Sequence, residues 1–202
     1  MATKTPRSSQ ASLPREVRDV RSARERLLAS ANELFYAEGV QTVGIDRIIE
    51  HAGVAKASLY NLFGSKDGLV GAYLESRHDG TTARLMAAVE RRRSPRKRLL
   101  AVFEAQGELF AQPGFRGCAF VAATAEARRG GHIEEAADEY RTWIRALFTD
   151  LAKQAGASNP QKLARQLQLV YDGADLSARM DRDPSIATTA RSAAEALLEA
   201  SL

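Results

Sequence analysis

The chain has 202 residues, of which 45% are hydrophobic, 27% are charged and 6% are aromatic. That length is enough for one well-packed domain or two small ones. A formal net charge of +4 suits a polyanionic partner without identifying one. The single cysteine excludes an intramolecular disulfide framework, and no run approaches the roughly 18 apolar residues of a membrane span. Because residues 1–20 also lack the apolar core of a secretory signal, we expect a cytoplasmic protein that does not associate with a membrane.

The N-terminal part of the chain predicts a mobile arm followed by two helices. Residues 1–20 contain two prolines and several serines, which is typical of a flexible segment. From Arg21 onward, apolar residues recur at helical spacing until Gly39, where a left-handed cap is expected. Thr42 is placed to cap a second helix, whose inward stripe begins at Ile45.

A very short third helix follows after a sharp break. Gly53 provides a residue that readily takes positive φ, so the chain turns there. The pattern then predicts a helix over residues 56–63, stopped by Gly64, and a longer helix that begins at Lys66. Two helices joined by so short a turn form a helix-turn-helix.

The rest of the chain also predicts helices, with no strand-like alternation and no internal repeat. The expected segments are the long helix from residue 66 and helices over 96–112, 118–127, 133–155, 161–180 and 184–201. The count for the whole chain is about nine helices and no sheet. The predicted fold class is therefore all-α.

The densest run of basic residues is RRRSPRKR, from Arg91 to Arg98. Pro95 marks a helix boundary inside this run. We interpret it as a solvated corner between two helices, with direct contact to a nucleic acid as the alternative.

The third helix carries the residue types that a DNA major groove requires. Leu59 and Phe63 fall on its inner face, while its outer face is small, polar or cationic. Cations and amides meet phosphates and base edges, and a methyl group packs against thymine. Thr42 and Lys66 lie near helix N-termini, which attract phosphate. The residues expected to contact DNA are Thr42, Lys56, Ala57, Ser58, Tyr60, Asn61 and Lys66.

The segment LFYAEGVQTVGIDRIIEHAGVAKASLYNLFGSKDGL resembles the N-terminal domain of TetR-type transcriptional regulators. The shared features are the glycine after the first helix, the Ala-Gly-Val turn, the Leu-Tyr pair and the spacing of Phe63, Lys66 and Leu69. The resemblance implies a DNA-binding domain over residues 21–66 and a helical domain for ligand binding and dimerisation over residues 67–202.

Three positions depart from the family pattern. Ala55 stands where a capping Ser or Thr is usual, so the third helix is expected to begin without a side-chain cap. Leu62 replaces a commonly polar position, and Ile49 occupies a site that is usually smaller.

Large apolar residues in the middle of the chain could wall an effector cavity, although core packing is the more common role of such residues at helical spacing. Three polar residues inside these stripes, Gln106, Thr124 and Glu126, need buried partners that a ligand can supply. We expect a mainly apolar pocket for a small, largely apolar effector. The candidate lining residues are Phe103, Gln106, Phe110, Phe120, Thr124, Tyr140, Trp143 and Leu147.

The last two helices predict a surface for association with a second chain. Apolar residues recur on one face of each helix, and alanines on the last helix permit close approach. Two helices from each of two chains would form a four-helix bundle with two-fold symmetry, and burial inside one chain is the alternative. The expected interface residues are Leu167, Tyr171, Ala174, Ala190, Ala194 and Leu197.

Cys118 follows a glycine and precedes Ala119 and Phe120, the setting of a small buried hydrophobe. A redox or electrophile sensor is the alternative, because Arg116 could lower the pKa of the thiol.

The sequence thus predicts a ligand-responsive repressor that binds a palindromic double-stranded operator as a homodimer. We expect no enzymatic activity, since neither a phosphate loop nor a Ser, His and Asp grouping is visible, and no cofactor. The three histidines have no zinc-site spacing, so we expect no metal. The alternatives are an all-helical enzyme or carrier that uses the cavity, and an architectural DNA-binding protein of low specificity.

Overall fold

The computed structural model describes residues 22–127 and 131–202, and within these ranges it contains nine α-helices and no strand. This confirms the all-α prediction. The predicted arm over residues 1–20 lies outside the described residues. The helices are α1 (Ala23–Glu38), α2 (Ile45–Ala52), α3 (Lys56–Phe63), α4 (Lys66–Glu90), α5 (Pro95–Phe110), α6 (Ala119–Glu126), α7 (His132–Gln154), α8 (Pro160–Asp181) and α9 (Ile186–Glu199).

Helix α1 begins with a capping box that we did not predict. The Ser22 hydroxyl accepts a hydrogen bond from the Glu25 amide at 3.3 Å, and the Glu25 carboxylate accepts one from the Ser22 amide at 2.7 Å. This reciprocal pair satisfies two amides that a helix start leaves without partners. The helix ends at Gly39, whose φ of 96° favours glycine, but its ψ of 151° lies outside the left-handed helical region that we predicted for this cap.

The turn between α2 and α3 has the expected backbone, but the start of α2 differs from the prediction. Gly53 adopts the left-handed conformation with φ 60° and ψ 43°, and Ala55 begins α3 without a side-chain cap, as predicted. Thr42 does not cap α2, because the N-cap position belongs to Gly44, which has no side chain to accept a hydrogen bond. Thr42 instead lies in the preceding turn.

Helix α4 connects the N-terminal helices with the rest of the molecule. Its 25 residues span about 37 Å at 1.5 Å per residue. It packs against α1 and α3 on one side and against α5, α6 and α7 on the other. One continuous cluster of buried side chains runs from Leu27 in α1 to Leu198 in α9. No described helix is long and apolar enough to cross a membrane.

Candidate nucleic-acid interface and internal cavity

Helix α3 is held by one face and open on the other. Leu59 is fully buried and Phe63 is half-buried, so both anchor the helix to α1, α2 and α4. The guanidinium group of Arg24 lies 5.4 Å from the centre of the Phe63 ring and covers its outer edge. The opposite face of α3 is free for a partner.

The candidate DNA contacts form one surface around this open face. Ser58 and Lys66 are half-buried, and Lys66 Nζ donates to the Gln41 carbonyl oxygen at 3.4 Å. Lys66 is also the first residue of α4, whose N-cap Ser65 accepts a hydrogen bond from the Gly68 amide at 3.0 Å. The exposed members of the set are Thr42, Lys56, Ala57, Tyr60 and Asn61.

Lys56 already has an anionic partner within the protein. Its Nζ donates to Asp46 Oδ1 at 2.8 Å across the turn between α2 and α3. The hydrogen bond and the charge of Asp46 raise the pKa of Lys56 above its ordinary value. Both side chains are exposed, so the pair is a weak one that a phosphate can displace.

An apolar residue on the open face was not among the predicted contacts. Leu62 is 43% exposed beside Tyr60, which is 45% exposed. Single exposed apolar residues are common on protein surfaces, and here Leu62 adds an apolar side chain to the open face of α3. Its departure from the family pattern was the sequence signal that could have identified it.

A cavity of about 250 Å³ lies between α1, α4, α7 and α8, closed by the segment that joins α5 to α6. Its wall combines apolar and aromatic side chains with a large number of polar groups. The lining residues are Asn32, Ser76, Arg77, Gly80, Thr81, Arg84, Leu109, Gln112, Gly117, Cys118, Ala119, Phe120, Tyr140, Tyr171 and Asp175.

Two charged residues dominate the chemistry of this cavity. Arg84 Nε is buried and has no hydrogen-bond partner among the described residues. Burial, together with the nearby charge of Asp172, raises the pKa of Asp175 to about 6, while Arg84 opposes the shift. A buried donor without a partner has a free-energy cost that a ligand acceptor would remove.

The structure brings two of the eight predicted pocket residues, Phe120 and Tyr140, onto the cavity wall. Their rings stack at 4.2 Å with an interplanar angle of 4°. Thr124 lines an adjoining cavity of about 280 Å³ that shares both aromatic residues. The remaining five lie in the core or against it and line neither cavity: Phe103, Gln106, Phe110, Trp143 and Leu147.

Gln106 has a structural partner that the sequence could not reveal. It is fully buried, and its Nε2 donates to the Tyr171 carbonyl oxygen at 2.8 Å, which links α5 to α8. Its Oε1 has no partner among the described residues. The amide therefore joins two core helices beside the cavity.

The cavity residues that sequence reasoning missed lie mainly on α4. The run SRHDGTTAR, residues 76–84, interrupts the apolar face of that helix with polar and small residues. The interruption of α8 around Asp172 also has an explanation: Asp172 pairs with Arg141 at 2.9 Å, and Asp175 enters the cavity wall.

Cys118 lies on the walls of both cavities. Burial raises the pKa of its thiol to about 11, the opposite of the shift that Arg116 was considered to cause. A thiol with this pKa is protonated at neutral pH and is a poor nucleophile.

The residues predicted for the dimer interface pack mainly within one chain. Five of them are buried in the core, Leu197 is half-buried, and Tyr171 lines the cavity. The five core residues are Leu167, Tyr171, Ala174, Ala190 and Ala194. A different face of α8 is outward and apolar: Leu169 and Met180 are both 72% exposed and Leu176 is 54% exposed.

Three hydrogen bonds connect α6 and the segment before it with the N-terminal part of the chain. The Tyr36 hydroxyl donates to the Gly117 carbonyl oxygen and accepts from the Arg116 amide, both at 2.9 Å. The carboxylate of Glu126, the last residue of α6, accepts from the Gln41 amide at 2.8 Å. The loop before α2 is therefore fastened directly to α6.

The N-terminal helices match a known family. The family model described as "Bacterial regulatory proteins, tetR family" matches residues 27–73, from α1 through α3 into α4. Of two named relatives, one is described as an activator of transcription and the other as a repressor. The "HTH-type transcriptional activator FasR" of Mycolicibacterium smegmatis is 37% identical over 93 residues, 46% of this chain and only 40% of FasR. The "HTH-type transcriptional repressor NemR" of Escherichia coli K12 is 28% identical over 170 residues, 79% of this chain and 85% of NemR.

Similarity to a solved structure extends over nearly the whole molecule. A TetR-family transcriptional regulator from Streptomyces coelicolor is 35% identical, with a TM-score of 0.84. The alignment covers 89% of this chain and 95% of that one. The chain belongs to the TetR family of bacterial regulatory proteins, whose members are DNA-binding transcriptional regulators rather than enzymes.

Proposed function

We propose that this regulator is a repressor that binds a palindromic operator as a homodimer and leaves it when an effector enters the internal cavity. The observation that supports this most directly is the open polar face of α3, braced by the buried Leu59. A helix held in this way is suited to the major groove. We assign DNA binding to residues 21–66 and effector binding with dimerisation to residues 67–202.

The proposed DNA contacts divide into two kinds. Lys56 and Lys66, with the amides at the start of α4, meet phosphates and fix the position of α3. Ala57, Tyr60 and Asn61 face the bases, where an amide reads adenine and a methyl group packs against thymine. Thr42 and Ser58 complete the set at its edges.

The effector that suits the cavity is more polar than the sequence predicted. Leu109 and the stacked pair Phe120 and Tyr140 provide an apolar surface for a small molecule. Arg84 Nε lacks an acceptor among the described residues, so we assign the effector a carbonyl or similar oxygen that reaches it. An amphipathic compound of this kind fits a 250 Å³ space.

The outward face of α8 is the surface that we propose for dimerisation. Leu169, Gly173, Leu176 and Met180 follow one another at spacings of four, three and four residues, so they share one side of the helix. Their exposed apolar side chains flank a glycine that permits close approach. Two copies related by a two-fold axis would bury this face and present two α3 helices to a palindrome.

The proposed response passes through α4 and α6. Both helices line the effector cavity and both contact the N-terminal helices, α6 through Glu126 and Gln41. An effector that binds a second arrangement more tightly would shift the population away from the DNA-binding one, typically with 1–3 kcal/mol of coupling. Repression, rather than activation, follows the longer alignment with NemR. The site of action is the cytoplasm, where bacterial DNA is found.

Selection of bound duplexes from a random pool tests this function. We expect enrichment of a palindrome, loss of the enriched duplex in Lys56→Ala, and retained binding in a control variant, Lys153→Ala, on the exposed side of α7. Equal affinity for all duplexes would instead identify an architectural DNA-binding protein. Absence of binding to any duplex would contradict the assignment of α3 to the major groove.

A further inference from the structure

A second, larger cavity lies where the N-terminal helices meet α6 and the end of α8. Its volume is about 430 Å³, and it shares only Ala119 with the effector cavity. We refer to it as the junction cavity. It is lined by Phe35, Tyr36, Ala37, Glu38, Gly39, Val40, Tyr73, Arg116, Ala119, Ala122, Ala123, Glu126, Arg179 and Arg182.

Three arginines reach the junction cavity without a carboxylate partner. Among the described residues, no acidic group lies within the 4 Å ion-pair distance of Arg116, Arg179 or Arg182. Other arginines of the same chain are paired, for example Arg92 with Glu104 and Arg141 with Asp172. Although Arg179 also faces Asp175, the three exposed guanidinium groups give this cavity a local excess of positive charge.

The two acidic residues at the cavity offset only part of this charge, because Glu38 has its own cationic partner and Glu126 contributes a single negative charge. Glu38 forms a bidentate ion pair with Arg47 of α2. Glu126 accepts the Gln41 amide at 2.8 Å, and its carboxylate lies against Gly39, where any Cβ would overlap it. Both carboxylates therefore have structural partners on the side of the N-terminal helices.

Local contacts fix parts of the three arginines, whose side chains are all exposed. The aliphatic part of the Arg179 side chain packs on Gly117. A side chain at position 117 would bring its Cβ to 2.8 Å from Arg179 Cδ. The backbone of Arg116 is tied by its amide to the Tyr36 hydroxyl at 2.9 Å. Arg182 ends α8 in the left-handed conformation, φ 55° and ψ 35°, which glycine adopts at lower cost than an arginine.

We propose that the junction cavity binds a small organic phosphate. Guanidinium groups recognise phosphate through paired, charge-assisted hydrogen bonds, and three of them match a dianion with three terminal oxygens. Phe35, Val40 and the alanines of α6 form a floor that accommodates a small apolar body. The phosphate would contact α6 and α8 on one side and the Gly39 loop on the other, so its binding joins the two parts of the molecule.

Isothermal titration calorimetry with phenyl phosphate tests the proposal, with phenol as the neutral probe. We expect saturable binding of one phenyl phosphate per chain and none of phenol. Arg182→Gly keeps a residue suited to positive φ and removes only the guanidinium group, so the fold is retained; Arg179→Gln is the second variant. Each is expected to weaken binding by about tenfold, as the loss of one charged hydrogen bond predicts.

Two control variants separate this site from other sources of binding. Arg93→Gln removes an exposed arginine far from the cavity and is expected to bind like the wild type. Arg84→Gln alters the effector cavity and is also expected to bind normally. Equal losses in either control, binding of phenol, or the absence of saturation would overturn the proposal. So would a lower salt dependence of DNA binding in Arg182→Gly, because it would assign that arginine to DNA phosphates.

Discussion

In the proposed complex with DNA, Lys56 exchanges the Asp46 carboxylate of its own chain for a phosphate. The 2.8 Å contact with Asp46 must break or be shared before Lys56 reaches a phosphate. Asp46→Asn removes the competing charge and also the repulsion between Asp46 and DNA. We expect this variant to bind operator DNA several-fold more tightly in a fluorescence anisotropy titration at fixed salt.

Glu50→Gln is the matched control, because it removes one negative charge from an exposed position of α2 that has no contact with Lys56. A gain in Glu50→Gln equal to that in Asp46→Asn would show a general charge effect. A loss of affinity in Asp46→Asn would show that Asp46 positions Lys56 for DNA.

Asp175 makes the stability of the protein depend on pH. Burial raises its pKa from 3.8 to about 6, so the folded state holds a proton that the unfolded state releases. The free energy of unfolding therefore falls as pH rises from about 4 to about 6 and remains lower above that range. The groups that face Asp175 are Asp172, Arg84, Arg179 and the Cys118 amide.

Asp175→Asn is expected to remove this dependence. At pH 7 this substitution should raise the free energy of unfolding by about 2–3 kcal/mol, which is the equivalent of the pKa shift. The side-chain oxygen of the asparagine can still accept the hydrogen bond from the backbone N–H of Cys118. Urea unfolding at several pH values between 4 and 8 measures the effect. Asp150→Asn, on the exposed face of α7, is the control. An unchanged slope in Asp175→Asn would contradict the prediction.

At the scale of elements, α3 is, like α2, a weakly supported helix of the N-terminal part. It has eight residues and no side-chain cap, because Ala55 occupies the N-cap position with φ −72° and ψ 146°. Those angles suit a serine at position 55, whose hydroxyl would accept a hydrogen bond from the backbone N–H of Ser58. We expect Ala55→Ser to stabilise the protein by about 1 kcal/mol, measured by thermal unfolding.

Ala55→Val provides the comparison, since it changes the same position without adding an acceptor. Equal stabilities of the serine and valine variants would show that the cap is irrelevant at this site. A stabilised α3 is also expected to bind DNA more tightly, because less ordering remains to be completed on binding.

Helix α6 also illustrates how a short element connects two regions. Its N-terminal residues line the effector cavity, while its last residue, Glu126, holds the Gln41 amide. A shift of α6, which has only eight residues, would therefore be transmitted to the loop that carries Thr42. The sequence indicated a helix here but contained no signal that it touches that loop.

At the scale of the whole molecule, the proposed dimer depends on the outward face of α8. Leu176→Glu places a charge at its centre and is expected to give a monomer in light scattering at micromolar concentration, since an unpaired charge in an interface costs several kcal/mol. Val121→Glu is the control, because Val121 is 53% exposed on a different helix. A dimeric Leu176→Glu protein would exclude this face.

The sequence by itself determined the helices, because their start and stop signals are local. The predicted limits of α3 are those observed, and the ends of the later helices agree within a few residues. Glycines at positions 39 and 53 end helices through their own backbone freedom. The start of α2 was the exception. Thr42 and Gly44 are both possible N-cap residues of α2, and only the packed structure shows that Gly44 is the one used.

The tertiary structure decided which apolar face of each helix enters the core. Helix α8 has apolar residues on more than one side, so periodicity alone assigned Leu167 to a partner chain and did not identify Leu169. The polar wall of the effector cavity likewise depends on helices that are distant in sequence, since Arg84 and Asp175 meet only after α4 and α8 pack. Spacing along the chain specifies a helix and its faces, whereas the neighbours of each face are set by packing between distant segments.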